Sequence, residues 1–192
     1  MSGNDIIDIK LAAKESNWQR KGYIEKIFTP QEQTYIRNTL HPENLIWILW
    51  SMKESVYKVY TRQFGGRFFA PKKIECTILN NNKGKVRVNE VNYKTTTCIT
   101  SNFIYTIAQP EELSAIPLLN RWFICKEKNY MSQPAIYKKI IIGYASISGK
   151  QPQFLSIIKN NDGIPGLYCE KEKLYTPVSI SHHGRYGAFT IN

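Results

Sequence analysis

The chain has 192 residues, with 26 lysines and arginines against 15 acidic residues and a formal charge of +11. That length suits one large domain or two small ones sharing a core, and the charge calls for an anionic partner: nucleic acid, a phosphorylated small molecule or an acidic protein. No apolar run is long enough for a bilayer-spanning helix, and the opening Met1-Ser2-Gly3-Asn4-Asp5 lacks a basic segment followed by an apolar one, so no secretory leader is expected. Cys76, Cys98, Cys125 and Cys169 are scattered without a Cys-x-x-Cys pair, which argues against a thiolate zinc site and for a reduced, cytoplasmic setting.

Residues 3–9 read as a short isoleucine-rich strand, and 12–27 as a helix carrying Trp18, Tyr23, Ile24 and Ile27. Thr29-Pro30-x-Glu32 is a helix start: Thr29 can cap, Pro30 suits the first turn and Glu32 completes a capping box, predicting a helix to about Leu40. His41-Pro42 breaks it, a tryptophan-rich helix follows from about Glu43 to Arg62, and Gly65-Gly66 ends it. Strands are then expected at 73–79, 85–89, 92–100 and 103–108, as an antiparallel meander, with a boundary at Gln109-Pro110-Glu111-Glu112. The second part opens on Arg121-Trp122-Phe123. It continues with a helix from about Ser132 (its cap) to Ser148, a strand at 153–159, a turn at Asn161-Asp162-Gly163, and strand, polar corner and strand over 177–191. This is an α+β pattern: two similar lobes, each a small antiparallel sheet packed with helices, over residues 1–112 and 113–192.

Three features stand apart from that scaffold. Gly3-x-Asp5 lies on the first strand, Glu54 and Lys58 lie four apart on the long helix, and Ser181-His182 lies near the last strand. Glu-x-x-x-Lys on a helix is most often a surface ion pair. Here it shares a helix with core tryptophans. Two carboxylates from different elements can hold magnesium, which takes oxygen ligands and keeps waters and phosphates in its shell. A neighbouring lysine can neutralise a pyrophosphate, and serine and histidine can contact another phosphate. The combination points to metal-assisted chemistry on a phosphate or pyrophosphate ester.

With their flanks these residues resemble the 4′-phosphopantetheinyl transferase superfamily. Gly3-Asn4-Asp5-Ile6 resembles its Gly-x-Asp-Ile opening, and Phe28-Thr29-Pro30-Gln31-Glu32 its Phe-[Ser/Thr]-x-x-Glu helix start. Trp50-Ser51-Met52-Lys53-Glu54-Ser55-x-x-Lys58 matches its longest and most specific signature, and Ser179-Ile180-Ser181-His182-His183-Gly184-Arg185 resembles its Ile-Ser-His-Ser-Gly-Arg segment. In two-lobed members the Ser-His segment precedes Gly-x-Asp, whereas here it follows. The lobe order therefore looks circularly permuted; an extended relative of the small holo-acyl-carrier-protein synthases gives the same order.

The resemblance implies transfer of 4′-phosphopantetheine from coenzyme A to a serine of an acidic apo acyl or peptidyl carrier protein, with Mg²⁺, in a cleft between the lobes. Asp5 and Glu54 would hold the metal. Glu54 would also help deprotonate the acceptor serine, and Lys58 would contact the pyrophosphate and stabilise the leaving group. Ser181 and His182 would bind coenzyme A phosphates, and Gly163 and Pro165 would line the adenine side. Ile164 replaces the family's lysine, removing a contact to the 3′-phosphate; Arg121, Lys126 and Lys128 are candidates to replace it. Asp8, three residues after Asp5, points to the other face of the strand and reads as structural or as a support to the metal's ligands, slightly ahead of a direct metal ligand. Lys53 points off the Glu54/Lys58 face, and His183 and Arg185 have weaker claims on a ligand. The rival reading is a basic nucleic-acid-binding module without enzymatic activity, its tyrosines stacking on bases, although no clustered basic stripe supports it.

Overall fold

A computed structural model describes residues 1–66, 68–80, 82–112, 117–125 and 132–192. Strand β1 (Gly3–Asp8) runs directly into helix α1 (Ile9–Glu15), because the Asp8 carboxylate caps it by accepting the Leu11 N–H at 3.2 Å. The expected helix over 12–27 is thereby corrected. It starts three residues earlier, stops at Glu15, and resumes only as the short α2 (Tyr23–Ile27) after Gly22, whose φ of +82° no helix interior accepts. Helix α3 (Pro30–Arg37) starts where the sequence places it. Thr29 Oγ1 accepts the Glu32 N–H at 3.3 Å and Glu32 returns an acceptor to the Thr29 N–H at 2.8 Å. It ends at Arg37, one turn short of Leu40. The long α4 (Pro42–Phe64) begins on Pro42 and stops at Gly65, which has φ +71°.

Strands β2 (Ile74–Ile78), β3 (Lys83–Val88), β4 (Val91–Ile99) and β5 (Phe103–Pro110) form the expected antiparallel meander, and β1 joins β5, giving the order β1-β5-β4-β3-β2. The second sheet is built from β6 (Leu119–Ile124), β7 (Leu155–Lys159), β8 (Pro165–Cys169), β9 (Leu174–His183) and β10 (Tyr186–Ile191), in the order β6-β10-β9-β8-β7, with α5 (Gln133–Ser148) between its first and second strands. Ser132 occupies the cap position of α5 but its hydroxyl closes no capping bond. Strand β8 went unread because Gly163-Ile164-Pro165-Gly166 looks like a continuous turn. Gly166 is in the strand because the Tyr175 ring lies where a side chain would stand.

The two sheets have one connectivity. Each has a strand, a long helix and then a four-stranded meander whose last strand returns to pair with the first. Helix α4 lies against β1 and β5 of its own sheet. Its approach is so close that a Cβ on Gly3 would stand 2.1 Å from the Ser55 carbonyl oxygen, so only glycine is accommodated there. Each lobe buries its own apolar cluster. A third, of Ile6, Phe103, Tyr105, Tyr186 and Ala188, lies where β1 and β5 meet β10. Asn4 stitches the same seam. Its N–H donates to Ser179 Oγ at 3.1 Å and its Nδ2 to Ser181 Oγ at 2.9 Å, while the Ser2 hydroxyl donates to Thr190.

Candidate active site

Strand β1 alternates its side chains, so Asn4 faces the second sheet while Asp5 faces α4. There Lys58 Nζ lies 3.3 Å from Asp5 Oδ1 and donates to the Asn4 carbonyl at 2.8 Å. Glu54, one turn before Lys58, is close enough for the charge of Asp5 to act on it. Asp5, Glu54, Trp50, His182 and His183 line one cavity of about 330 Å³. A second, of about 610 Å³, runs along the same helix through Tyr57, Lys58, Thr61 and Arg62 to Asn161–Pro165 and Ile180. A third, of about 300 Å³, opens on the other flank of Glu54 between Trp50, Tyr57 and the Phe68–Pro71 segment.

The electrostatics follow from burial. Desolvation raises the pKa of Asp5, and Lys58 partly opposes it; desolvation and the Asp5 charge raise that of Glu54. Burial, with Lys58 and His183 nearby, lowers that of His182, which favours the neutral imidazole. The Ser51 hydroxyl, buried beside Asp5, acts in the same sense as Lys58 by favouring the ionised carboxylate. Two carboxylates are thus held together against their repulsion, with the single ammonium of Lys58 placed against Asp5.

A family model described as 4′-phosphopantetheinyl transferase superfamily matches residues 1–116, more than half of the chain. The chain belongs to that superfamily. No curated protein matches it. Similar solved structures include the Helicobacter pylori holo-[acyl-carrier-protein] synthase in complex with coenzyme A, at 14% identity, TM-score 0.47, covering 58% of this chain and 100% of that one. The Mycobacterium tuberculosis acyl carrier protein synthase is 19% identical at TM-score 0.42, covering 57% and 95%. The Thermotoga maritima holo-[acyl-carrier-protein] synthase is 10% identical at TM-score 0.45, covering 91% and 83%.

In this superfamily member, the residues expected from sequence do not all reach one place. Asp5, Glu54 and His182 share a cavity, and Lys58, Gly163, Ile164 and Pro165 share the adjoining one. Ser181 does neither: neighbours on a strand point to opposite faces, so with His182 in the cavity Ser181 is buried at the seam, accepting from Asn4. Asp8 also lines neither cavity. One oxygen caps α1 and the other accepts the Arg185 N–H at 3.4 Å. His183 accepts the Asp8 N–H at 3.0 Å through Nδ1, which leaves the proton on Nε2, 3.4 Å from Glu15. Arg121 is on the edge strand β6 and lines none of these cavities. Lys126 and Lys128 lie outside the described residues.

Two features escaped the sequence reading. Lys53, which the sequence placed only off the Glu54/Lys58 face, is 1% exposed and ion-paired at 2.8 Å to the fully buried Glu32, a partner the sequence does not indicate. It also donates to the carbonyls of Pro71 and Ile74, while Glu32 accepts the Cys76 N–H at 2.7 Å. The capping glutamate of α3 and the signature lysine of α4 thus lock together and hold the segment that walls the third cavity. The other feature is Arg62, four residues beyond Lys58. Its guanidinium donates to the Ser2 carbonyl at 3.1 Å and to the Val178 carbonyl. The i, i+4, i+8 run of Glu54, Lys58 and Arg62 was the available signal.

Proposed function

We propose that this chain transfers 4′-phosphopantetheine from coenzyme A to a serine of an acidic apo acyl or peptidyl carrier protein. The observation that carries the reading is the meeting of Asp5, Glu54 and His182 around one cavity that adjoins, at Lys58, a larger one reaching the Gly163–Pro165 loop. The nucleotide of coenzyme A takes the larger cavity and its pyrophosphate lies beside Lys58. The carrier serine oxygen attacks the β-phosphorus, the bond to the bridging oxygen of the pyrophosphate breaks, and adenosine 3′,5′-bisphosphate leaves. Glu54 accepts the serine proton, directly or through a water; a carboxylate whose pKa is raised is the better acceptor. Lys58 stabilises the charge growing on the departing phosphate, and the imidazole of His182 donates to a phosphate oxygen.

Asp5 and Glu54 offer hard oxygen donors that repel each other, a set suited to Mg²⁺. When bound there it would neutralise the pyrophosphate and withdraw charge from the phosphorus. Among the described residues no third His, Cys, Asp or Glu joins Asp5 and Glu54, and water and substrate oxygens would complete the shell. The chain's +11 charge serves both the polyanionic coenzyme and an acidic carrier. No described helix is long and apolar enough to cross a membrane; a cytoplasmic location is the setting in which coenzyme A and carrier meet.

The test is incubation with coenzyme A, Mg²⁺ and a panel of apo carrier proteins, read by intact mass. The wild type adds phosphopantetheine to at least one carrier. Asp5→Ala and Glu54→Gln stay folded and lose at least ~10³-fold in rate, the scale of removing an acid–base group from a preorganised site. Near-wild-type modification by either variant would sink the reading, and steep salt-dependent RNA or DNA binding without coenzyme A binding would put the nucleic-acid module in its place.

A further inference from the structure

We propose that Arg62 is the residue through which this chain recognises the phosphomonoester on the ribose of its coenzyme, a specificity role that the Gly163–Pro165 loop does not supply. The proposal rests on the functional reading above and deepens it. Ile164 sits in the wall of the 610 Å³ cavity with an apolar side chain, and the loop around it adds the Asp162 carboxylate and no cation, so an anion in this cavity must find its positive charge on α4. Arg62 lines the same cavity. It pairs with no carboxylate among the described residues: its two recorded acceptors are the backbone carbonyls of Ser2 and Val178. A guanidinium has five N–H donors, so two bonds leave donors unspent beside the cavity.

Burial of this group is unfavourable, lowering its pKa to about 10. It nonetheless stays cationic near neutrality. A largely desolvated cation with no counter-ion among the described residues, in the wall of a cavity, is a site for an anion.

Spacing decides which anion. Glu54, Lys58 and Arg62 follow one another at single turns of α4, so Arg62 lies about 12 Å along the helix axis from Glu54 and about 6 Å from Lys58. With the reacting phosphorus near Glu54 and the pyrophosphate at Lys58, the next group of coenzyme A along that line is the ribose with its 3′-phosphate. A planar guanidinium held by two carbonyls presents its remaining N–H groups in a fixed direction, suited to a bidentate phosphate contact.

Arg62 also ties Ser2, just ahead of β1, to β9, so loss of binding alone would not separate recognition from clamping. The discriminating measurement compares coenzyme A with 3′-dephospho-coenzyme A, by titration calorimetry and by kcat/KM for carrier modification. The wild type prefers coenzyme A. Arg62→Gln weakens coenzyme A by about 10- to 100-fold, the scale of one hydrogen bond to a charged group, and changes dephospho-coenzyme A less than about threefold. Arg62→Lys, which keeps the charge, retains part of the preference and stands in if the glutamine variant does not fold. Equal losses on the two ligands, or a wild type that modifies carrier without distinguishing them, overturns the proposal alone. A wild type that binds neither ligand overturns the functional reading beneath it.

Discussion

Glu54 costs stability to keep. Its pKa is raised by burial and by Asp5, so its carboxyl binds a proton more tightly in the folded chain than in the unfolded one. Such a group contributes its full stability below the unfolded carboxyl pKa of about 4 and loses it as pH rises through the folded value. Glu54→Gln removes the titration. Without added metal, this variant should therefore melt a few degrees higher than wild type at pH 7–8, with the gain shrinking toward pH 4, by differential scanning calorimetry. A lower midpoint at pH 7–8 would show that Glu54 is held by favourable contacts instead. At this scale residue type and motif spacing were enough to pick out Asp5, Glu54, Lys58 and His182, which line the two adjoining cavities. The sequence misled at Ser181 because motif adjacency ignores strand alternation, and it passed over Arg62 because the signature motif stops at Lys58, although the single-turn spacing runs on to Arg62.

The elements were legible wherever their ends are chemical. The Thr29 box, Pro42 and Gly65 mark α3 and α4 in sequence and in structure. The break between α1 and α2 was not, since an apolar stripe runs through it; Asp8, read as structural, has its task only in the structure, where it caps α1. The Glu32–Lys53 pair is a matter of packing between α3 and α4 and has no local signal. Removing one partner of a buried, fully hydrogen-bonded pair strands the other charge, so Lys53→Met should cost about 3–5 kcal/mol by denaturant melts. Glu32→Gln combined with Lys53→Met should recover part of that loss. A single variant within about 0.5 kcal/mol of wild type would show that the pair is not what fixes the wall of the third cavity.

At the scale of the whole molecule, the likeness of the two lobes was expected from their helix-then-strands pattern, and their shared connectivity bears it out. What no periodicity could disclose is how they join: Asn4 on the serines of β9, and Phe103 with ring centroids 5.0 Å from Tyr186 and 4.6 Å from Trp122. A seam this apolar should make the lobes unfold together. Tyr186→Ala is expected to cost about 3–5 kcal/mol, as for other large aromatic deletions, while calorimetric and van't Hoff enthalpies stay equal. Two resolved transitions would mean that each lobe is stable alone.

The pairing of Asn4 with Ser181 spans 177 residues of chain. At the ~5–20 residues per second of synthesis, those partners leave the ribosome roughly 10–35 s apart. The first sheet is complete only once Pro110 has emerged, and for the roughly 4–15 s until Tyr186 follows its Ile6, Phe103 and Tyr105 stay uncovered and its acidic pair cannot meet His182. A newborn chain is therefore both inactive and sticky until its final hairpin arrives, and its yield in a cell should depend on holdase chaperones acting in that window more than on the stability of the finished fold.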